Sequence, residues 1–357
     1  MLHPKNALFG ATPQKESVVG GHSTCRRACP HLVYGIARKK DVNPNSRFDL
    51  EYRTIAFHHA MDLIQAIIIG IVQGLTEFIP ISSSAHMVFA SRLTGIYGGD
   101  PHKTTAVMAV MQLGTLAAVI IYFFGDIWGI TTAFVRDHWN YMFHRHRIRL
   151  SRREGGGPLF LSEEAWLGWL IIIGSIPIGV AGLLLKKHIE GPATKNLWFI
   201  AIMMISIAVL LFIAEKVGSQ RKEMRHLGLS DAIIQGLCQA LALMPGASRS
   251  GSTIMGGLFA GEKRETAARF SFLLSIPAIG ASGLLELREA VNILPADSVV
   301  PLIGGTLAAG IVGFFSIHFL LAFLRKNTTL IFIIYRIIIG FAILAALWFG
   351  LLEPSVQ

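Results

Sequence analysis

Six long apolar runs can be marked out along the chain, at residues 105–124, 166–185, 196–214, 270–287, 299–321 and 330–352. Each is about 20 residues long, the length an α-helix needs to cross a bilayer. Two further apolar segments, 63–93 and 232–259, carry proline, serine and a charged residue near their centres. Backbone freed at a proline in mid-membrane needs protein or water around it, so both read as broken or re-entrant helices and not as simple spans. The pattern predicts an all-α polytopic membrane protein, an inverted repeat with about six transmembrane helices plus two broken or re-entrant helical segments.

The two broken segments resemble each other. At an offset of 166 residues, 65–84 aligns without gaps with 231–250, and eight of the twenty pairs are identical: Ala66/Ala232, Ile67/Ile233, Ile68/Ile234, Gly70/Gly236, Gln73/Gln239, Leu75/Leu241, Ser82/Ser248 and Ser84/Ser250. Apolar pairs arise by chance, but the glutamine and serine pairs fall into the same register, which points to an internal repeat. We place repeat 1 at about 62–214 and repeat 2 at about 231–352, within a membrane domain covering 61–357. Three spans follow each broken segment. If each broken segment returns to its own side, the second half is inverted, and inverted repeats bring their site together near the midplane.

Loop charges set the orientation. Arg136, Arg145, Arg147, Arg149, Arg152 and Arg153 precede the second span, and Lys216, Arg221, Lys222 and Arg225 follow the third. Together with Lys263, Arg264, Arg325 and Lys326 they fall on one side, which the positive-inside rule makes cytoplasmic. Lys186 and Lys187 fall on the other side and oppose the assignment.

Residues 1–60 lack any sustained apolar periodicity and are rich in Pro, Gly and His. They are expected to be a disordered extension or the result of a start codon assigned too early, since Met61-Asp62 opens the apolar part directly. Without an apolar core they do not form a secretory signal peptide.

Composition agrees with a lipid environment: 52% hydrophobic and 15% charged residues, against about 25% charged in soluble domains. The net charge of +10 is not accompanied by any nucleic-acid-binding pattern, so no nucleic-acid partner is expected. Cys25, Cys29 and Cys238 are too few and too poorly spaced for a disulfide framework or a zinc site.

Chemistry concentrates at the two breaks. Gln73 and Glu77 lie four residues apart, on one helix face. A carboxyl in an apolar segment costs several kcal/mol unless paired, hydrated or functional, so Glu77 is a site candidate. Gly70 and Gly74, matched by Gly236 and Ala240, form a small-residue stripe suited to close helix packing. After Pro80 come Ser82, Ser83, Ser84 and His86, hydroxyls and an imidazole beside a helix start, a setting for an oxyanion. In the second copy Arg249 takes the place of Ser83, among Ser248, Ser250, Gly251 and Thr253. A guanidinium at this depth needs an anionic partner, and its planar fork matches phosphate. A bare Glu77–Arg249 ion pair would not account for the surrounding hydroxyls, so an anion between the two is expected.

One clamp cation, one carboxylate, a histidine and several hydroxyls at a membrane-embedded interface suit phosphoryl transfer from a lipid phosphate. A carboxylate facing a diphosphate needs a divalent cation between them, Mg²⁺ or Ca²⁺, with Glu77 as its protein ligand. No P-loop is present, which argues against nucleotide use. A secondary transporter or lipid flippase is the competing reading, because broken helices in inverted repeats are also a transport architecture.

The run Gln73-Gly74-Leu75-Thr76-Glu77-Phe78-Ile79-Pro80-Ile81-Ser82-Ser83-Ser84-Ala85-His86 and the run Pro245-Gly246-Ala247-Ser248-Arg249-Ser250-Gly251 resemble the two signature motifs of undecaprenyl-pyrophosphate phosphatases. The likeness extends over roughly 61–352. It implies a bacterial inner-membrane, multi-pass enzyme that converts undecaprenyl diphosphate to the monophosphate, recycles the lipid carrier of peptidoglycan synthesis and confers bacitracin resistance. By position, Glu77 matches the family's essential acid, Ser83 and His86 its motif serine and histidine, and Arg249 its diphosphate-binding arginine. Gln73, Ser82, Ser84, Ser248, Ser250, Gly251 and Thr253 would line the substrate. Its partners would be the polyprenyl diphosphate and membrane lipids, with a homodimer left open. The first acidic position of the family pattern is Gln73 here, which puts a two-carboxylate metal site in doubt.

Overall fold

The computed structural model describes residues 61–143, 161–189 and 196–354. The expectations for residues 1–60, for Cys25 and Cys29, and for Arg145, Arg147, Arg149, Arg152 and Arg153 fall outside the described residues, as do the side chains of Lys186 and Lys187. No β-strand occurs among the described residues. In chain order the α-helices are α1 (Leu63–Phe78), α2 (Ser83–Thr94), α3 (Pro101–Tyr122), α4 (Phe124–Phe143), α5 (Glu163–Ile189), α6 (Leu197–Val217), α7 (Leu229–Leu241), α8 (Arg249–Phe259), α9 (Arg264–Ile293), α10 (Val299–Leu324) and α11 (Leu330–Trp348).

Among the described residues, six helices are long and apolar enough to cross a membrane, those of α3, α5, α6, α9, α10 and α11, and each overlaps one of the apolar runs. α10 shows what lipid does to such a helix. Ile303, Leu307, Ile311, Phe315 and Phe319, at successive i, i+4 steps, are all exposed. Gly305, Ala309 and Gly313 on the opposite stripe are buried against other helices. Apolar side chains face outward because hydrocarbon is the solvent there, and small ones face inward so that backbones approach.

The helix α4 is a departure from the sequence reading, which took the stretch after residue 124 as a basic loop. Arg136 therefore lies on a helix. Tertiary contacts hold it: Asp137 Oδ2 accepts the Ser162 backbone N–H at 2.6 Å, and Trp169 Nε1 donates to His138 Nε2 at 3.1 Å, both joining α4 to the start of α5. Such long-range partners leave no local signature.

Both broken segments resolve into half-helix pairs. α1 stops where Pro80 disfavours helical backbone for Ile79, which is extended at φ −67°, ψ 133°. α7 stops ahead of Pro245 and Gly246. Gly246 has φ +92°, and a Cβ there would stand 2.3 Å from the carbonyl oxygen of Ile200, so no other residue fits the turn. The second half-helices begin at equivalent positions, each after a serine N-cap with positive φ: Ser82 at 78° and Ser248 at 68°.

Each half packs on the other half of the chain. α1 lies mainly against α10, and α7 mainly against α5. The glycine stripes make the contact: a Cβ on Gly70 would come within 2.1 Å of the Gly305 carbonyl oxygen, and one on Gly236 within 2.3 Å of that of Gly174.

The basic loops meet at one end of the bundle. Arg221 and Lys222 donate backbone N–H groups to Gly261 O, Lys263 pairs with Glu223, Arg264 with Glu215, and Arg325 with Glu265. At the other end Gln65 donates to Thr94 O at 2.7 Å, Tyr97 Oη to Ser298 Oγ at 2.5 Å, and Leu197 N to Pro354 O at 2.8 Å. Described residues from both ends of the membrane domain thus lie opposite the basic loops.

Candidate active site

The breaks of the two half-helix pairs face each other inside the bundle. Glu77, in the last turn of α1, is buried and lies against Arg249, the first residue of α8: Glu77 Oε1 receives Arg249 Nη2 at 2.5 Å. The other carboxylate oxygen, Oε2, accepts from Gln73 Nε2 at 2.9 Å, one helical turn back. A carboxylate at this depth is stable because both oxygens are engaged, one by a charge and one by an amide. The acid and the arginine meet directly, so one ion pair links the two breaks.

Glu77, Phe78, Arg249 and Ser250 line a narrow pocket with Ser271, Phe272, Ser275 and Ile279 of α9, a cavity of only about 10 Å³. Ser271 and Ser275 carry no signal of their own in the sequence. They reach the site only because α9 crosses behind α8.

Ser82 and Ser248 occupy equivalent corners. Ser82 Oγ is 3.2 Å from Ser84 Oγ, and Ser248 Oγ is 3.3 Å from Ser250 Oγ. Ser84 Oγ also accepts the backbone N–H of Gly246 at 3.0 Å, sewing the first break to the second. Ser248 Oγ accepts from Gly251 N at 3.2 Å, so the serine caps α8, and the Thr253 hydroxyl turns to the Arg249 carbonyl and to Ser271 Oγ. Gly251 is buried, and a Cβ there would stand 3.1 Å from Arg336 Nη1. Ser83 is half-buried at the first position of α2. The α2 and α8 N-termini carry free N–H groups and a partial positive charge.

His86 does not join Glu77 in that pocket. Its Nδ1 lies 2.7 Å from the Ser82 carbonyl oxygen and its Nε2 2.7 Å from Tyr335 Oη of α11, with the two rings stacked at 5.7 Å. A carbonyl only accepts, so Nδ1 carries a proton, and in the neutral ring Nε2 then accepts from the Tyr335 hydroxyl. Both nitrogens are engaged.

Sequence reasoning missed Arg336. It is fully buried in α11, and its guanidinium spans four carbonyl oxygens: Met204 at 3.1 Å, Pro80 at 3.4 Å, and Gly246 and Ala247 at 3.0 Å each. Those carbonyls belong to both breaks and to α6, so one planar fork fixes the relative position of the two halves. The signal was present: an arginine inside an apolar span carries the same cost that singled out Glu77.

Among the described residues no three His, Cys, Asp or Glu side chains converge on one point. The pocket offers a single carboxylate, Glu77, already shared between Gln73 and Arg249. Such a set fits a divalent cation only if substrate oxygens complete its shell.

The chain matches the family model described as bacitracin resistance protein BacA over residues 66–342. Among curated relatives it is 43% identical over 285 residues to the undecaprenyl-diphosphatase of Syntrophobacter fumaroxidans, covering 80% of this chain and 97% of the relative. It is 45% identical to that of Myxococcus xanthus (82% of this chain, 92% of the relative). It is 46% identical to that of Chloroherpeton thalassium (82% and 99%).

Proposed function

The chain belongs to the bacitracin resistance protein BacA family and is an undecaprenyl-diphosphatase, and we propose that it works where its two broken segments meet. The reaction adds water to undecaprenyl diphosphate, breaks the anhydride P–O bond and releases undecaprenyl phosphate and inorganic phosphate. It regenerates the lipid carrier of peptidoglycan synthesis, and the family takes its name from the resulting bacitracin resistance.

The observation that carries the placement is the ion pair of Glu77 and Arg249, one from each break. Arg249 exchanges its carboxylate partner for the terminal phosphate, using the fork geometry that suits phosphate oxygens. Glu77, released from the arginine, holds the attacking water and takes its proton as the water oxygen bonds to phosphorus. The leaving oxygen departs on a phosphate and needs little help. Hydroxyls of Ser83, Ser84, Ser248 and Ser250 and the N-termini of α2 and α8 stabilise charge on the equatorial oxygens. Thr253 braces Arg249 through its carbonyl. His86, tied at both nitrogens, orients the Ser82 corner and is not the nucleophile.

A divalent cation, Mg²⁺ or Ca²⁺, would enter with the diphosphate and be held by its oxygens and Glu77, supplying charge neutralisation. The membrane is the bacterial plasma membrane, with the end bearing Arg221, Lys222, Lys263 and Arg325 on the cytoplasmic side; the excess of basic residues there supports this.

The test is phosphate release from undecaprenyl diphosphate by the purified full chain, with Mg²⁺, with Ca²⁺ and with chelator. Turnover that needs a divalent cation and disappears in Glu77→Gln supports the reading. Undiminished turnover in Glu77→Gln would place the chemistry elsewhere.

A further inference from the structure

A cavity larger than the one around Glu77 lies elsewhere among the described residues. An apolar groove of about 310 Å³ runs between α2 and α11, lined by Phe89, Ile339, Ala342 and Leu352 among others. Its polar groups, His86 and Tyr335, are bonded to each other at one end. Ala342 is exposed, so the groove opens on the outer surface of the bundle.

The groove adjoins the break crossing by construction. On α11, Tyr335 faces the groove while the next residue, Arg336, holds the Pro80, Gly246 and Ala247 carbonyls. On α2, His86 lies one turn beyond the Ser82 cap, a rise of about 6 Å. A lipid diphosphate whose phosphates reach Arg249 needs apolar room for its chain close by. The pocket at Glu77, about 10 Å³, has none, whereas the groove lies in the size range of small-molecule sites.

We propose that the groove between α2 and α11 receives the first isoprene units of the lipid diphosphate, and that the bonded pair of His86 and Tyr335 marks the boundary between chain and diphosphate. This rests on the diphosphatase reading. It makes Phe89, Ile339 and Ala342 determinants of prenyl recognition, and it gives Tyr335 a positioning role through His86.

Two experiments test it with the full chain in detergent or lipid. First, a prenyl diphosphate carrying a photoreactive diazirine in its first isoprene unit is cross-linked and the adducts are mapped. Adducts on α2 and α11 are expected; adducts on α9 around Ser275 and Ile279 would overturn the proposal. This map does not depend on turnover. Second, Ala342→Trp fills the groove from its exposed side, where the added ring meets lipid and not core. It is expected to raise KM for undecaprenyl diphosphate about tenfold with kcat within about twofold, the loss of one side chain's worth of apolar contact. KM for isopentenyl diphosphate, whose single isoprene unit stays at the Tyr335 end, about 10 Å along α11 from Ala342, should stay at the wild-type value. An equal change for both substrates, or none for either, overturns the groove as the chain site. Wild-type protein that releases phosphate from neither substrate fails the diphosphatase reading instead.

Discussion

The two breaks are copies in backbone and opposites in chemistry. Ser82 and Ser248 cap equivalent helices at positive φ, each within 3.2 to 3.3 Å of a second serine hydroxyl, and Gly70 and Gly236 make matching close contacts with the other half of the chain. Glu77 stands only in the first copy, with Leu243 at its place in the second, and Arg249 only in the second, where the first has Ser83. Gln73 is bonded to Glu77, while its counterpart Gln239 is buried with neither amide atom paired in this structure. The two breaks face each other, and each contributes one charge of the ion pair. A cation and an anion thus meet at the crossing without either break carrying both.

That contrast can be broken from either side. The largest effect is expected for Glu77→Gln, which removes a proton acceptor and a charge but almost no volume. A fall in kcat of about 10²- to 10⁴-fold with substrate binding retained is expected, the range for a general base. Steady-state kinetics beside a lipid-binding assay measures it.

Arg249→Lys keeps the charge and loses the fork. About one to two orders of magnitude in kcat/KM should go, because one charge-assisted hydrogen bond contributes roughly 1.5 to 3 kcal/mol. Wild-type kinetics in this variant would mean that charge alone suffices at the second break.

Arg336→Lys asks whether the halves are held by geometry. An ammonium cannot span four carbonyl oxygens that a guanidinium reaches from one plane, so thermal stability in detergent should drop by about 2 kcal/mol or more. A melting temperature equal to wild type would remove Arg336 from that role.

Gly70→Ala and Gly236→Ala test the scaffold symmetry. Each Cβ meets a backbone carbonyl of the opposite half and must push helices apart, at about 1 to 3 kcal/mol each. Two similar losses are expected; a large difference would show that one half carries more of the fold.

A pH-dependent effect concerns another unequal pair. Glu262 sits fully buried in the turn after α8, where the first repeat has the buried Ile96. Its burial, with Asp231 nearby, raises its carboxyl to about 8 despite the hydrogen bond from Gln235 and the charge of Lys222. The folded protein therefore holds a proton that the unfolded chain has given up, and stability falls as pH rises from about 4.5 through about 8. Glu262→Gln should flatten that part of the stability profile; an unchanged slope in thermal melts from pH 5 to about 9 would assign it to other groups.

Much of this was legible in the chain. Spans were visible because lipid demands about 20 apolar residues in a row, and the breaks because proline, serine and charge in such a run conflict with it. Register between copies exposed the repeat, and the cost of burying charge singled out Glu77 and Arg249. α4 was not visible, since its reasons for being helical are contacts with α5 that lie across an intervening segment. The direct contact of Glu77 with Arg249, the separation of His86 from them, the serines of α9 and the four carbonyls around Arg336 were decided only when α6, α9 and α11 closed around the breaks. Composition and periodicity report what a segment needs from its solvent; which side chains then share a pocket depends on how helices far apart in sequence cross, and that is fixed by packing alone.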